Sequence, residues 1–193
     1  MMKKICFATN NKHKLEEVKH IVADFEIISL DELGCFDELE ETQPTLEGNS
    51  LQKASFIFDH YKTPCFADDT GLEVEALQGA PGVYSARYAG EQKKSEDNIN
   101  LLLKNLRGVT NRKAQFRTVI TVMGLGETKT FEGVIKGIIT ETKKGTDGFG
   151  YDPIFQPEGY TKTFAEMTMA EKNKVSHRAL AVEKLVAFLK DIQ

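Results

Sequence analysis

Four short segments of this chain carry residue types that do chemistry. The first is Thr9-Asn10-Asn11-Lys12-His13-Lys14. It follows an apolar run and opens a helical pattern, and the unpaired N–H groups of a helix start attract anions. Lysines in a first turn oppose the helix dipole, at a cost of roughly a few tenths of a kcal/mol each. A local rule broken this way often marks function. Taken alone, the segment is equally a capped surface helix with stray lysines. The glycine-lysine pattern of a P-loop is absent.

The second segment is Ala67-Asp68-Asp69-Thr70-Gly71, two adjacent carboxylates ending the apolar strand Cys65-Phe66-Ala67. Strand side chains alternate between faces, so one aspartate is expected to face a cleft and the other to cap or brace the turn. A carboxylate at a strand's end in an α/β protein is well placed to hold Mg²⁺ or to activate water. The plainer alternative is an ordinary turn. Glu41 offers a second oxygen ligand, although it is one acid among Asp37, Glu38, Glu40, Glu41 and Glu47. The third segment, Gly145–Pro153, sets glycines around Phe149 and Tyr151, so that backbone can approach a ligand and a ring can stack on it. The last, Ala170–Arg178, places His177 and Arg178 in a first turn behind the candidate N-cap Ser176. With Lys172 they form a donor-rich set for an oxygen-bearing ligand.

Composition narrows the class. The chain has 193 residues, with 25 Lys plus Arg against 29 Asp plus Glu, a net charge of −4. One domain spanning 1–193 is expected. The acidic balance argues against nucleic acid or an anionic membrane as partner. Cys6, Cys35 and Cys65 form no CxxC pair, so a zinc ribbon is excluded and free buried thiols are expected. The run Ile5–Ala8 is too short for a signal peptide, and nothing approaches a membrane span. A cytoplasmic location is the expectation.

These segments need elements to position them. Residues 3–8 read as a buried strand, and Leu15, Val18, Ile21 and Val22 set a helix over 11–23. Ile27–Leu30 reads as a strand, and Leu51, Ala54, Ile57 and Phe58 as part of a helix over 48–61. After Cys65–Ala67, the alternation Leu72, Val74, Ala76 predicts a separate, half-exposed strand. Helices follow at 95–106 and from Ser176 to Lys190. Residues 114–142 read as two long strands joined near Gly124–Thr128, and 145–161 as loop. Strand–helix–strand order at the start favours an α/β fold.

Together the segments resemble the inosine triphosphate pyrophosphatase family, which hydrolyses non-canonical purine nucleoside triphosphates. Thr9, Asn11 and Lys14 match its Thr-x-Asn-x-x-Lys. Asp68–Gly71 match its acidic strand end, with Thr70 where many bacterial members have Ser. Gly79–Tyr88 match Gly-Ala-Pro-Gly-x-Tyr-Ser-Ala-Arg-Tyr, Phe149–Pro153 match Phe-Gly-Tyr-Asp-Pro, and Lys172–Arg178 match Lys-x-x-x-Ser-His-Arg. Each motif is weak alone; five in order along the chain are specific.

The resemblance implies an elongated, two-lobed α/β domain. A central mixed β-sheet would be flanked by helices, with a deep nucleotide-binding cleft and assembly as a homodimer. It implies Mg²⁺-dependent conversion of ITP, dITP and XTP to monophosphate and pyrophosphate. Carried over, Thr9, Asn10, Asn11, Lys12, His13, Lys14 and Lys53 hold the triphosphate. Asp69 is metal ligand and general base, Glu41 a further metal ligand, and Thr70 touches the nucleotide. Phe149, Gly150, Tyr151, Asp152, Lys172, His177 and Arg178 hold the base. Asp68 is a supporting acid. Two alternatives stay open: a related pyrophosphatase for modified pyrimidine nucleotides, and a non-catalytic nucleotide-binding module.

Overall fold

A computed structural model describes residues 4–22 and 25–192. Lys3 and Ala23, which the sequence assigns to the first strand and helix, lie outside the described residues. The elements are β1 (Lys4–Phe7), α1 (Lys12–Ile21), β2 (Glu26–Ile28), α2 (Leu30–Leu33), α3 (Leu46–Tyr61), β3 (Cys65–Val74) and β4 (Pro81–Gly82). They continue with α4 (Ser95–Asn105), β5 (Lys113–Met123), β6 (Lys129–Ile139), β7 (Phe155–Pro157), α5 (Met169–Lys172) and α6 (His177–Asp191). The fold is α/β with a mixed sheet in the order β2-β1-β3-β5-β6-β7, and β4 pairs with β3. β1 runs parallel to β2 and β3, while β4 and β7 are antiparallel to β3 and β6.

The chain forms two compact units. Of the described residues, unit 1 holds those up to Asp69, Thr118–Gly133 and those from Arg178 onward; unit 2 holds Thr70–Arg117 and Val134–His177. In unit 1 the strand period of two sorts side chains into two cores. Ile5, Phe7 and Phe66 pack with Val18 and Val22 of α1 and Val182, Leu185 and Leu189 of α6. Cys6, Ala8, Cys65 and Ala67 pack with Ala54 and Ile57 of α3. Phe7 and Phe66 are register partners, and their rings stack at 4.6 Å. Each such buried ring or branched chain contributes roughly 1.5–3 kcal/mol.

Unit 2 buries Leu72 and Val74 of β3, Ile99, Leu102 and Leu106 at α4, and Phe116, Phe155 and Phe164. Gly71 is required here. A Cβ at this position would stand 2.7 Å from the Gly82 carbonyl oxygen, where β3 and β4 pair.

Three local readings change, the first being 145–161, read as loop, where Phe155–Pro157 forms β7 against β6. Ile27–Leu30 is cut short because Ser29 and Glu32 form a capping box that starts α2. The Ser29 Oγ accepts from Glu32 N at 3.1 Å, and Ser29 N donates to Glu32 Oε2 at 2.7 Å. β3 is one unbroken strand that carries Asp68 and Asp69 in its interior, and its later half is buried, with Leu72 and Val74 both 0% exposed. Aspartate is a poor strand former, but both carboxylates meet buried partners that outweigh the preference.

Candidate functional site

The alternation that sorts the unit 1 cores also sorts the two aspartates. Asp68 continues the row of Phe66, on the side of α1 and α6. Asp69 continues the row of Cys65 and Ala67, on the side of α3. Each carboxylate therefore ends an apolar row and meets whatever polar residue the facing helix supplies.

On the first side, α1 begins at Asn11, whose side chain accepts from Lys14 N at 3.2 Å, and its first turn contains no acid. Lys14 Nζ donates to Asp68 Oδ1 at 3.0 Å, and Arg178 Nε to Asp68 Oδ2 at 3.3 Å. Arg178 Nη1 also donates to Glu17 on the next turn of α1. Arg178 is 2% exposed and Asp68 0%. Burial opposes charge on Asp68, yet the Lys14 and Arg178 cations beside it hold its carboxyl well below the usual range. Burial lowers Lys14, with Asp68 countering. The Asp68 direction decides the state of the pair, because two cations face one carboxylate.

On the second side, α3 presents three buried polar residues. Asn49 Nδ2 donates to Asp69 Oδ2 at 2.9 Å. Ser50 Oγ donates to the Ala67 carbonyl at 2.9 Å. Lys53 Nζ donates to Glu41 Oε1 at 2.5 Å. Burial pushes the Asp69 carboxyl up, Glu41 adding to it and Lys53 and Lys14 only partly offsetting it. Burial opposes Lys53's charge, but Glu41, Asp69 and Asp68 together raise its value. Burial likewise opposes Glu41's charge, and Lys53 overcomes it and lowers Glu41. The two neighbouring carboxyls are thus pushed in opposite directions, Asp68 down by the cations beside it and Asp69 up by burial.

Not every residue of the first segment faces the same task. Asn10 reaches the acidic loop, its Nδ2 donating to the Asp37 carbonyl at 3.2 Å and its Oδ1 accepting from Leu39 N at 3.1 Å. Thr9 Oγ1 accepts from Asn11 N at 3.2 Å. Lys12 and His13 are exposed, and Thr70 is half-buried beside Asp69.

In unit 2, Asp152 Oδ2 accepts from Phe149 N at 2.8 Å and from Lys172 Nζ at 2.7 Å. The Lys172 ammonium lies 4.9 Å from the centre of the Phe149 ring. Asp152 thus ties the glycine-rich loop to α5, with Gly150 at φ +61° turning the chain between them. Tyr151 belongs to the core, and its hydroxyl donates to the Ser85 carbonyl at 2.8 Å. His177 stacks on Phe116 at 4.5 Å and is 3% exposed. The geometry joins Lys14, Asp68 and Arg178, separately Lys53, Glu41 and Asp69, and in unit 2 Phe149, Asp152 and Lys172.

Sequence reasoning missed Glu17 and Asn49. Both carried a signal. Glu17 lies three residues after Lys14 on α1, and Asn49 lies four before Lys53 on α3, each on one helix face with a residue already singled out.

Among the described residues no group of three or more His, Cys, Asp or Glu could hold a metal ion. Magnesium does not need one: it binds through one or two carboxylates, keeping several waters and taking phosphate oxygens. Asp69 and Glu41 are oxygen donors of the right kind. Glu41 raises Asp69's proton affinity, a like-charge strain that a cation would relieve.

The model of the Ham1 family matches residues 5–188. A dITP/XTP pyrophosphatase of Flavobacterium johnsoniae is 52% identical, covering 96% of this chain and 97% of that protein. One from Porphyromonas gingivalis is 54% identical over 97% of this chain and 98% of its own. The solved structure of the Staphylococcus aureus Ham1 protein superposes with a TM-score of 0.90 at 43% identity, covering 99% of this chain and all of that one.

Proposed function

The chain belongs to the Ham1 family, and from that premise we propose that it hydrolyses non-canonical purine nucleoside triphosphates, dITP, ITP and XTP, to the monophosphate and pyrophosphate. The observation that carries the chemistry is the pair Asp68 and Asp69, adjacent in β3 and held by different partners, Asp68 by Lys14 and Arg178 and Asp69 by Asn49.

A triphosphate carries several negative charges, and this protein is net −4, so binding needs a local cationic cradle. Lys14 and Lys53 supply it, backed by the N-terminus of α1 with Thr9–His13. Asp68, kept ionised, holds Lys14 and Arg178 in place. Asp69 orients a water for attack on the α-phosphorus and takes its proton. Mg²⁺, held by Asp69 and Glu41, would neutralise charge on the departing pyrophosphate.

Base selection falls to Phe149, Gly150, Tyr151, Asp152, Lys172, His177 and Arg178. Phe149 offers the stacking face. Lys172 is the donor suited to a 6-oxo group, which hypoxanthine and xanthine have and adenine lacks. Both cations are shared, the Lys172 ammonium with Asp152 and the Arg178 guanidinium with Glu17 and Asp68. The reading carries with it a homodimer acting in the cytoplasm, and sedimentation of the purified protein tests the assembly.

The experiment is incubation with Mg²⁺ and a panel of nucleoside triphosphates, resolving the products. Monophosphate plus pyrophosphate from dITP, ITP and XTP is expected. A preference for modified pyrimidine nucleotides, or binding without turnover, would each refute the proposal.

A further inference from the structure

One residue of unit 1 touches both carboxylate-bearing segments. Asn49 is 0% exposed and sits in the first turn of α3. Its amide Nδ2 donates to Asp69 Oδ2 at 2.9 Å. Its Oδ1 accepts from the backbone N–H of Gln43 at 2.8 Å, two residues past Glu41. One turn further along α3, Lys53 holds Glu41 itself. Between them Gln52 Oε1 accepts from Thr42 N at 3.1 Å. The segment 41–43 is thus pinned to α3 residue by residue, and the Asn49 anchor is shared with Asp69.

The chemistry of the position requires a primary amide of this length. One end must donate to a carboxylate, and the other must accept from an N–H. Ionised Asp accepts only, Ser cannot reach both, and Leu would make neither bond. The carboxylate of Asp69 can rotate about its last bond. The Asn49 donor bonds one named oxygen and so fixes which oxygen is turned elsewhere.

We infer that Asn49 is a positioning residue of the reaction: it orients the Asp69 carboxylate and at the same time helps hold the Glu41 segment, so that one side chain bridges the two. The inference rests on the proposed function, in which Asp69 acts in the chemical step.

Asn49→Asp separates the two bonds. It keeps an acceptor for Gln43 and removes the donor to Asp69. Asn49→Ala removes both. Steady-state kinetics with dITP at saturating Mg²⁺, normalised to the folded fraction from circular dichroism at the assay temperature, are the readout. Asn49→Asp is expected to lower kcat about 10- to 100-fold, the scale for an outer partner of a catalytic group, with KM within about threefold. Asn49→Ala is expected to lose at least as much. If both variants keep kcat within about twofold while Asp69→Asn is inactive, the inference falls and the role of Asp69 stands. If activity follows the folded fraction and returns on cooling, Asn49 is only structural and the inference falls. If Asp69→Asn turns over normally, the proposed function of that site fails, and the inference with it.

Discussion

Replacing Asp68 by Asn tests the ion network that surrounds the candidate site. The substitution keeps the shape of the side chain and removes its charge. Lys14 and Arg178 would then face a neutral amide in a region where the Asp68 side chain is 1% exposed, Arg178 2% and Lys14 12%. Removing one partner of a buried pair costs about 3–5 kcal/mol, because the other charge is left uncompensated. Arg178 keeps Glu17, and Lys14 keeps the field of Asp69, so the lower end applies, about 3 kcal/mol. At about 2–4 °C per kcal/mol for a chain of this length, Tm should fall about 6–12 °C. The chain has no Trp, so urea unfolding followed by circular dichroism is the assay. The sign with pH follows from Asp68's lowered value. Its contribution is fully present above the ordinary carboxyl value of 3.8 and is lost as pH falls through the lowered one. Asp68→Asn should therefore remove part of the acid limb of the stability curve. A loss under about 0.5 kcal/mol, or an unchanged acid limb, would refute the idea that two cations depend on this carboxylate.

The other outcomes follow from the same geometry. Asp69→Asn should lower kcat about 10³-fold or more with little change in nucleotide binding; normal turnover there with an inactive Asp68→Asn would reverse their roles. Phe149→Ala should weaken ITP and ATP alike, by about 1–3 kcal/mol of lost stacking, and comparing kcat/KM for the two would expose a loss confined to one base. Burial pushes the Cys6 and Cys65 thiols from 9.0 up to about 12. Native protein should resist thiol reagents at these positions until it unfolds. Because both values are raised, stability should drop as pH climbs from about 9 toward 12, by up to about 1.4 kcal/mol per pH unit for each thiol. Rapid labelling of Cys6 or Cys65 in native protein would contradict their burial.

Much of the fold was legible because periodicity reports burial. The spacing of Leu15, Val18 and Val22 set α1, and the two long strands around Gly124 are β5 and β6. β3 was read as two pieces because Asp68-Asp69 resembles a turn when its partners are unknown. Likewise Ser29, read as part of a strand, starts a helix once Glu32 folds back onto it. The candidate chemistry was legible as residue types: two carboxylates together, and lysines set against a helix dipole. The motif order along the chain pointed to the family.

What the sequence by itself determined is thus which residues alternate, which face a core, and which polar groups break those patterns. Only the tertiary structure decided which charge meets which. Asp68 and Asp69 are neighbours in sequence with the same side chain, and local sequence gives no reason for them to differ. Their surroundings diverge because β3 turns one toward Lys14 and Arg178, which lie 54 and 110 residues away along the chain, and the other toward Asn49. Electrostatic environment depends on distance in space and on exclusion of water, and neither is written in the spacing of residues along one strand.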